Sequence, residues 1–145
     1  MGSRSQWGIS PRESVKRECA ARGTKAVIAG CVALLRGSEA DAQLIYALGG
    51  PPARWAVTGG ESGPDYWLRV WAARGLLYAY DASAGPAVVE ALGDEHWRVR
   101  EAAAKVCARH RIDSALPLLA NLAGDSRLRV RRAAERAVTR IMDGS

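Results

Sequence analysis

Phenylalanine is absent from the 145 residues, histidine occurs twice and cysteine three times. Each shortage removes a class of function. Cys19, Cys31 and Cys107 are odd in number and form no C-x-x-C pair, which argues against a disulfide framework and a structural zinc site. Reduced thiols in a cytoplasmic protein are the expectation. No apolar run approaches the roughly 20 residues a membrane helix needs. Met1–Pro11 is polar and has no hydrophobic signal core, so residues 1–10 are expected to be a flexible N-terminus and no membrane partner is expected.

What is present favours helices. Apolar residues make up 48% of the chain and charged residues 25%, an ordinary globular balance, and five tryptophans supply the bulk that phenylalanine does not. Alanine dominates the small residues, and it is the residue most easily placed in a helix. The net charge of +6 is unevenly spread: residues 1–95 carry 10 Lys/Arg against 10 Asp/Glu, whereas residues 96–145 carry 11 against 5. A basic half suits an acidic partner or a nucleic-acid backbone, and equally suits a solubilising end of a repeat array.

A repeat emerges at a spacing of 31. Pro86-Ala87-Val88-Val89-Glu90-Ala91-Leu92-Gly93-Asp94 maps onto Pro117-Leu118-Leu119-Ala120-Asn121-Leu122-Ala123-Gly124-Asp125, with Pro, Gly and Asp at identical offsets. Val99-Arg100-Glu101-Ala102-Ala103-Ala104-Lys105-Val106-Cys107 maps onto Val130–Val138, and 31 residues earlier onto Leu68–Leu76. Periodicity places helices near 12–21, 25–36, 39–48, 66–80, 84–92, 97–110, 113–123 and 127–142. These are read as four pairs, with 39–48 partnering 66–80. Ser10-Pro11 starts the first helix, and Gly37 stops the second.

The segment V-R-x-A-A-x-x-[AV]-[VC], with Gly-Asp before it, resembles the HEAT repeat, in its short bacterial form of the bilin-lyase-like type. The resemblance implies an all-α fold, a right-handed α-α superhelix of about four helix pairs spanning one domain, residues 11–145. It also implies that Asp94 with Arg100, and Asp125 with Arg131, form a structural hydrogen-bond ladder between units. The unit around Arg69 departs, because Gly63 stands where the aspartate falls and Asp65 is out of register. The family's second helices line a concave surface, so the function implied is a non-enzymatic binding or scaffold module.

Subtracting the repeat leaves candidate binding features. An inserted loop at 49–65 carries Arg54 and Trp55 among glycines and prolines, but neither G-x-x-x-x-G-K-[ST] nor G-x-G-x-x-G. A loop this long is either functional or folds back over core. Trp71 stands in the column of Ala102 and Ala133, and Gly75 in that of Val106 and Ala137, so Trp71 is read as filling space beside the insertion. Val99, Ala102, Ala103, Val106 and Cys107 are read as the inward columns. Spacings of 3, 4 and 4 then define one surface stripe per unit. These are Trp67, Val70, Arg74 and Tyr78; Arg98, Glu101, Lys105 and Arg109; and Arg129, Arg132, Arg136 and Arg140.

The stripes grade from aromatic to basic. A protein partner with an acidic surface is the first reading, since Trp, Tyr and Arg are favoured at hot spots. Phosphate-backbone binding by nucleic acid is the alternative. Small-ligand or chromophore handling near Trp55, Trp67 and Trp71 is a third. Cys107-x-x-His110-x-x-Asp113 invites a nucleophile or metal reading, but Cys107 shares a column with Leu76 and Val138 and therefore reads as core. The family's hydroxylases use His-Glu pairs, whereas this chain has only Glu95-His96 in the reverse order. No catalytic residue, metal or cofactor is expected.

Overall fold

The computed structural model describes residues 8–61 and 63–144. The flexible segment expected at 1–10 lies outside the described residues as far as Trp7. The described chain is helical, with no strand among its residues. Pro11–Arg22 forms α1 and Thr24–Leu35 forms α2. The Ser10 hydroxyl accepts the Glu13 N–H at 3.1 Å, and Pro11 occupies the first turn, where its missing N–H is harmless. Gly23 at φ +95° then reverses the chain between the two helices.

Ala42–Gly49 forms α3, capped by the Asp41 carboxylate on the Leu44 N–H at 2.9 Å. The segment expected as an inserted loop is partly helical: Pro51–Ala53 makes a 3-10 turn, and Trp55–Thr58 makes the one-turn helix α4. Tyr66–Tyr78 is α5, Gly85–Ala91 α6, Trp97–His110 α7, Leu116–Asn121 α8 and Leu128–Asp143 α9. Pro86 and Pro117 sit in the first turns of α6 and α8, as helix-start prolines do.

The three long helices α5, α7 and α9 pack side by side in chain order, while α6 backs α7 and α8 backs α9. The pairing around α5 is not the one suggested by chain order. Apart from α7, its most extensive partner is α2, which also touches α6, and Arg36 at the end of α2 holds Glu90 of α6 at 2.8 Å. Helix α3 packs on α5 less extensively, and α1 spans α2, α3 and α5. The physical reason is apolar surface: α2 buries Val27, Ile28, Cys31, Leu34 and Leu35, whereas α4, which stands 31 residues before α6, buries nothing.

The core is a continuous seam through these rows. Val27, Leu44, Leu48, Leu76, Val88, Leu92, Val99, Val106, Leu119 and Val130 are its largest fully buried aliphatic side chains. Val99, Ala103, Val106 and Cys107 are buried as the 31-residue columns require, but Ala102 is only half-buried. Ala102 instead forms part of the floor of a surface cleft.

Candidate functional site

The long helices are fastened by a relay of arginines and aspartates. Arg100 Nε donates to Asp125 Oδ2 at 2.8 Å, while its NH1 donates to the Asp94 carbonyl at 2.8 Å. Arg69 Nε donates to Asp94 Oδ2 at 2.7 Å. Each aspartate carboxylate is therefore held by the arginine one unit earlier, and each arginine of the last two units also holds the main chain of its own turn. Arg131 makes the second kind of bond, to the Asp125 carbonyl at 2.7 Å. Arg69 completes the relay although its own unit has Gly63 at the aspartate position; Asp65 lies 3.9 Å away instead. Burial alone would raise the Asp125 pKa, but the Arg127 N–H and then Arg100 outweigh it and hold the carboxyl below its ordinary value.

This fastening places the exposed flanks of α5, α7 and α9 next to one another. Trp67, Val70, Arg74 and Leu77 from α5, Arg98, Glu101, Ala102 and Lys105 from α7, and Arg129 from α9 line one cleft of about 380 Å³. Further along, Lys105 and Ala108 meet Glu135, Arg136, Thr139 and Arg140 in a second, shallower groove. Lys105 belongs to both, so the two form one trough. Tyr78 is half-buried and Arg109 exposed, and neither lines these clefts. Arg132 faces the end of the array, beside Leu119, Ala123 and Leu128.

Two features of the trough are invisible in the stripe pattern. Glu101 is buried at 8% exposure, and its carboxylate holds Arg129 Nε at 3.0 Å and Lys105 Nζ at 3.8 Å. The basic surface is thus partly neutralised from beneath. Trp97, at the start of α7, carries the guanidinium groups of Arg98, Arg127 and Arg129 over its ring at 4.5, 5.2 and 5.2 Å. A signal for Trp97 does exist in the repeat, because Tyr66, Trp97 and Leu128 form a column of large residues at the helix starts. The burial of Glu101 has no such signal, since it depends on an arginine from the next unit.

The inserted segment builds an adjoining cleft of about 510 Å³ that shares Trp67 and Arg74 with the first. Gly49, Pro52, Trp55, Gly63, Pro64, Trp67, Trp71 and Arg74 line it. Trp71 is buried at 8% exposure and rests on Gly49, where an added Cβ would lie 2.7 Å from the indole. Trp67 and Trp71 have ring centroids 6.4 Å apart. Arg54, by contrast, is exposed and does not line this cleft; its carbonyl accepts the Thr58 hydroxyl at 3.1 Å. Arg74 connects the two clefts. Its guanidinium donates to the Leu48 carbonyl, and burial lowers its pKa. Among the described residues no carboxylate lies within ion-pair distance of it.

The two histidines are structural in geometry. His96 Nδ1 accepts the Arg98 N–H at 3.1 Å and so caps α7, with Tyr66 stacked on its ring at 3.6 Å. His110 Nε2 lies 2.7 Å from the Leu76 carbonyl, and Tyr80 stacks on it at 4.0 Å. Burial lowers both pKa values, with nearby arginines adding to the effect. Burial pushes the Cys107 thiol up to about 12, far from the range of an activated nucleophile. His110 is committed to α5 and Asp113 is exposed, so Cys107, His110 and Asp113 form no relay. Among the described residues no cluster of His, Cys, Asp and Glu could hold a metal, and no helix is long and apolar enough to cross a membrane.

No curated protein and no solved structure matched the chain. The family model described as HEAT repeats matches residues 59–139, more than half of the chain and the part that contains α5 to α8, most of α9 and the Arg–Asp relay. With its helices packed in that repeated arrangement, the chain belongs to the HEAT-repeat family.

Proposed function

We propose that this HEAT-repeat domain is a non-enzymatic interaction module that takes an acidic segment of a partner protein along the α5–α7–α9 trough. HEAT repeats generally mediate protein–protein interaction or scaffolding. The observation that carries the finer reading is the composition of the trough: Arg74, Arg98, Lys105 and Arg129 surround an apolar floor of Trp67, Val70, Leu77 and Ala102. Cations around apolar anchors suit a peptide that offers both carboxylates and large side chains. A phosphate backbone would instead be met by cations alone along an open track. Here Glu101 occupies the middle of the track and draws two cations towards itself.

The test is fluorescence anisotropy with a labelled peptide of alternating Asp/Glu and Trp/Leu, run beside random duplex DNA at two salt concentrations. The peptide is expected to bind more tightly than the DNA, and Lys105→Glu/Arg136→Glu to weaken it about tenfold. Tighter DNA binding, with a steep loss of affinity at the higher salt, would transfer the trough to nucleic acid.

A further inference from the structure

The tryptophan cleft has a composition unlike that of the trough. Its walls are three indoles and two prolines, and its lining holds one charge, on Arg74. A half-buried guanidinium satisfied only by a neutral carbonyl is an uncompensated charge in an apolar place. One of its five N–H donors goes to Leu48; the others have no carboxylate partner among the described residues. A single planar cation matches a single planar anion, and a carboxylate accepts two parallel hydrogen bonds from it. A phosphate dianion would call for more positive charge than the lining supplies. A further cation, Arg98, lies over Trp67 and Trp97 and lines the other cleft.

The flat walls specify the rest of the ligand. Trp67 and Trp71 lie 26° from parallel at 6.4 Å, and Trp55 faces the same space from α4. Aromatic groups pack favourably against such faces in offset or edge-on arrangements. A volume of about 510 Å³ falls within the range of small-molecule sites. We infer that the cleft bounded by Trp55, Trp67 and Trp71 is a binding site for a small aromatic carboxylate, with the ring against the indoles and the carboxylate on Arg74. The same chemistry is offered by a free organic acid and by the C-terminus of a peptide ending in an aromatic residue.

Titration of the full chain, followed by tryptophan fluorescence and calorimetry, separates these cases. The probes are 3-phenylpropionate and its amide, and N-acetyl-phenylalanine and its amide; none absorbs strongly where tryptophan is excited. Each acid is expected to saturate and to bind about tenfold or more tightly than its amide, because only the acid makes a charged hydrogen bond. A preference for phenylpropionate assigns the cleft to free acids, and a preference for N-acetyl-phenylalanine assigns it to peptide C-termini. Trp55→Ala should weaken acid and amide alike, while Arg74→Gln should erase only the difference between them. Should Arg74→Gln fail to fold through loss of its Leu48 bond, the acid–amide comparison on the unaltered chain still decides. Equal affinity for acid and amide, or no saturable binding of either, overturns the inference.

Discussion

Replacing Asp125 by alanine removes two interactions at once. The Arg100 guanidinium loses its carboxylate at 2.8 Å, and the Arg127 N–H loses its acceptor at 2.9 Å. Both side chains of the ion pair are largely withdrawn from water, at 17% exposure for Arg100 and 7% for Asp125. Arg100 nevertheless keeps the Asp94 and Glu95 carbonyls at 2.8 and 3.2 Å. The penalty of about 3–5 kcal/mol for a fully orphaned buried charge is therefore an upper bound that this site does not reach. A charged hydrogen bond contributes about 1.5–3 kcal/mol and a cap about 1 kcal/mol, part of which water restores at the exposed Arg127. The expected loss is about 2–3 kcal/mol, or roughly 4–12 °C in Tm for a chain of this length.

Asp125→Asn keeps the acceptor for Arg127 and should lose only about 1–2 kcal/mol. The assay is urea unfolding read by circular dichroism, with the midpoint shifting at constant m. An Arg100→Met/Asp125→Ala double-mutant cycle should show coupling of at least about 1 kcal/mol. The pH dependence carries the same signature. With its folded pKa depressed, Asp125 contributes stability that is present above its unfolded value near 3.8 and is lost as pH falls through the folded value. That acid-side loss should be absent in Asp125→Asn. A destabilisation below about 0.5 kcal/mol, or additive single substitutions, would refute the relay as the fastening between α7 and α9.

Gly49→Ala would place a Cβ 2.6 Å from that of Ala53 and 2.7 Å from the Trp71 ring, so urea unfolding should show a loss of about 1–3 kcal/mol; an unchanged midpoint would mean that this contact is not tight. Glu101→Gln should lower stability by about 1 kcal/mol while raising affinity for the acidic peptide about threefold, because Arg129 and Lys105 are released; anisotropy that shows weaker binding would contradict the assigned role of Glu101. The pKa values of His96 and His110 are lowered in the fold, so the unfolded chain binds more protons near and below about pH 6.5, and unfolding midpoints should fall as pH drops through and below that value. A midpoint that rises on acidification between pH 7.5 and 5.5 would reverse the inferred sign.

The repeat made the helices of the second half legible to within three residues, the largest difference being at α8, where residues 113–115 form a 3-10 turn ahead of the helix. Pro86 and Pro117, Gly93-Asp94 and Gly124-Asp125, and the alanine columns mark starts, turns and close contacts that depend only on local chemistry. The partnership of α2 with α5 was not legible. Counting back 31 residues from α6 reaches α4, which at one turn is too short to back a long helix, and nothing local says that the earlier helix α2 takes its place. The trough was half legible. Helical spacing groups Trp67, Arg74, Arg98, Lys105 and Arg129 correctly on facing flanks, but a stripe treats every member as exposed. Glu101 is buried with Arg129 of α9, in the next unit, closing over it, a contact between units that no single-helix pattern contains.

The Trp71/Gly75 exchange shows how the departures from the repeat combine. On α3, Leu48 and Gly49 are neighbours, large then absent; on α5, Trp71 and Gly75 repeat that contrast one turn apart. Gly75 leaves the space that Leu48 fills, since a Cβ there would meet Leu48 Cδ2 at 2.5 Å and Cys31 Sγ at 2.9 Å. Gly49 in turn leaves the space that Trp71 fills. Neither half works without the other: a tryptophan against an ordinary residue would push α3 away, and a glycine opposite a small residue would leave a void. The matched pairs hold the end of α3 against α5, and that is what brings the Leu48 carbonyl within reach of Arg74. The tryptophan cleft therefore takes its back wall and its one charge from core packing, and takes from the inserted segment only Pro52, Trp55, Gly63 and Pro64 in front. A site built this way is positioned by close core contacts of the domain, although the sequence that introduces it is the part that does not repeat.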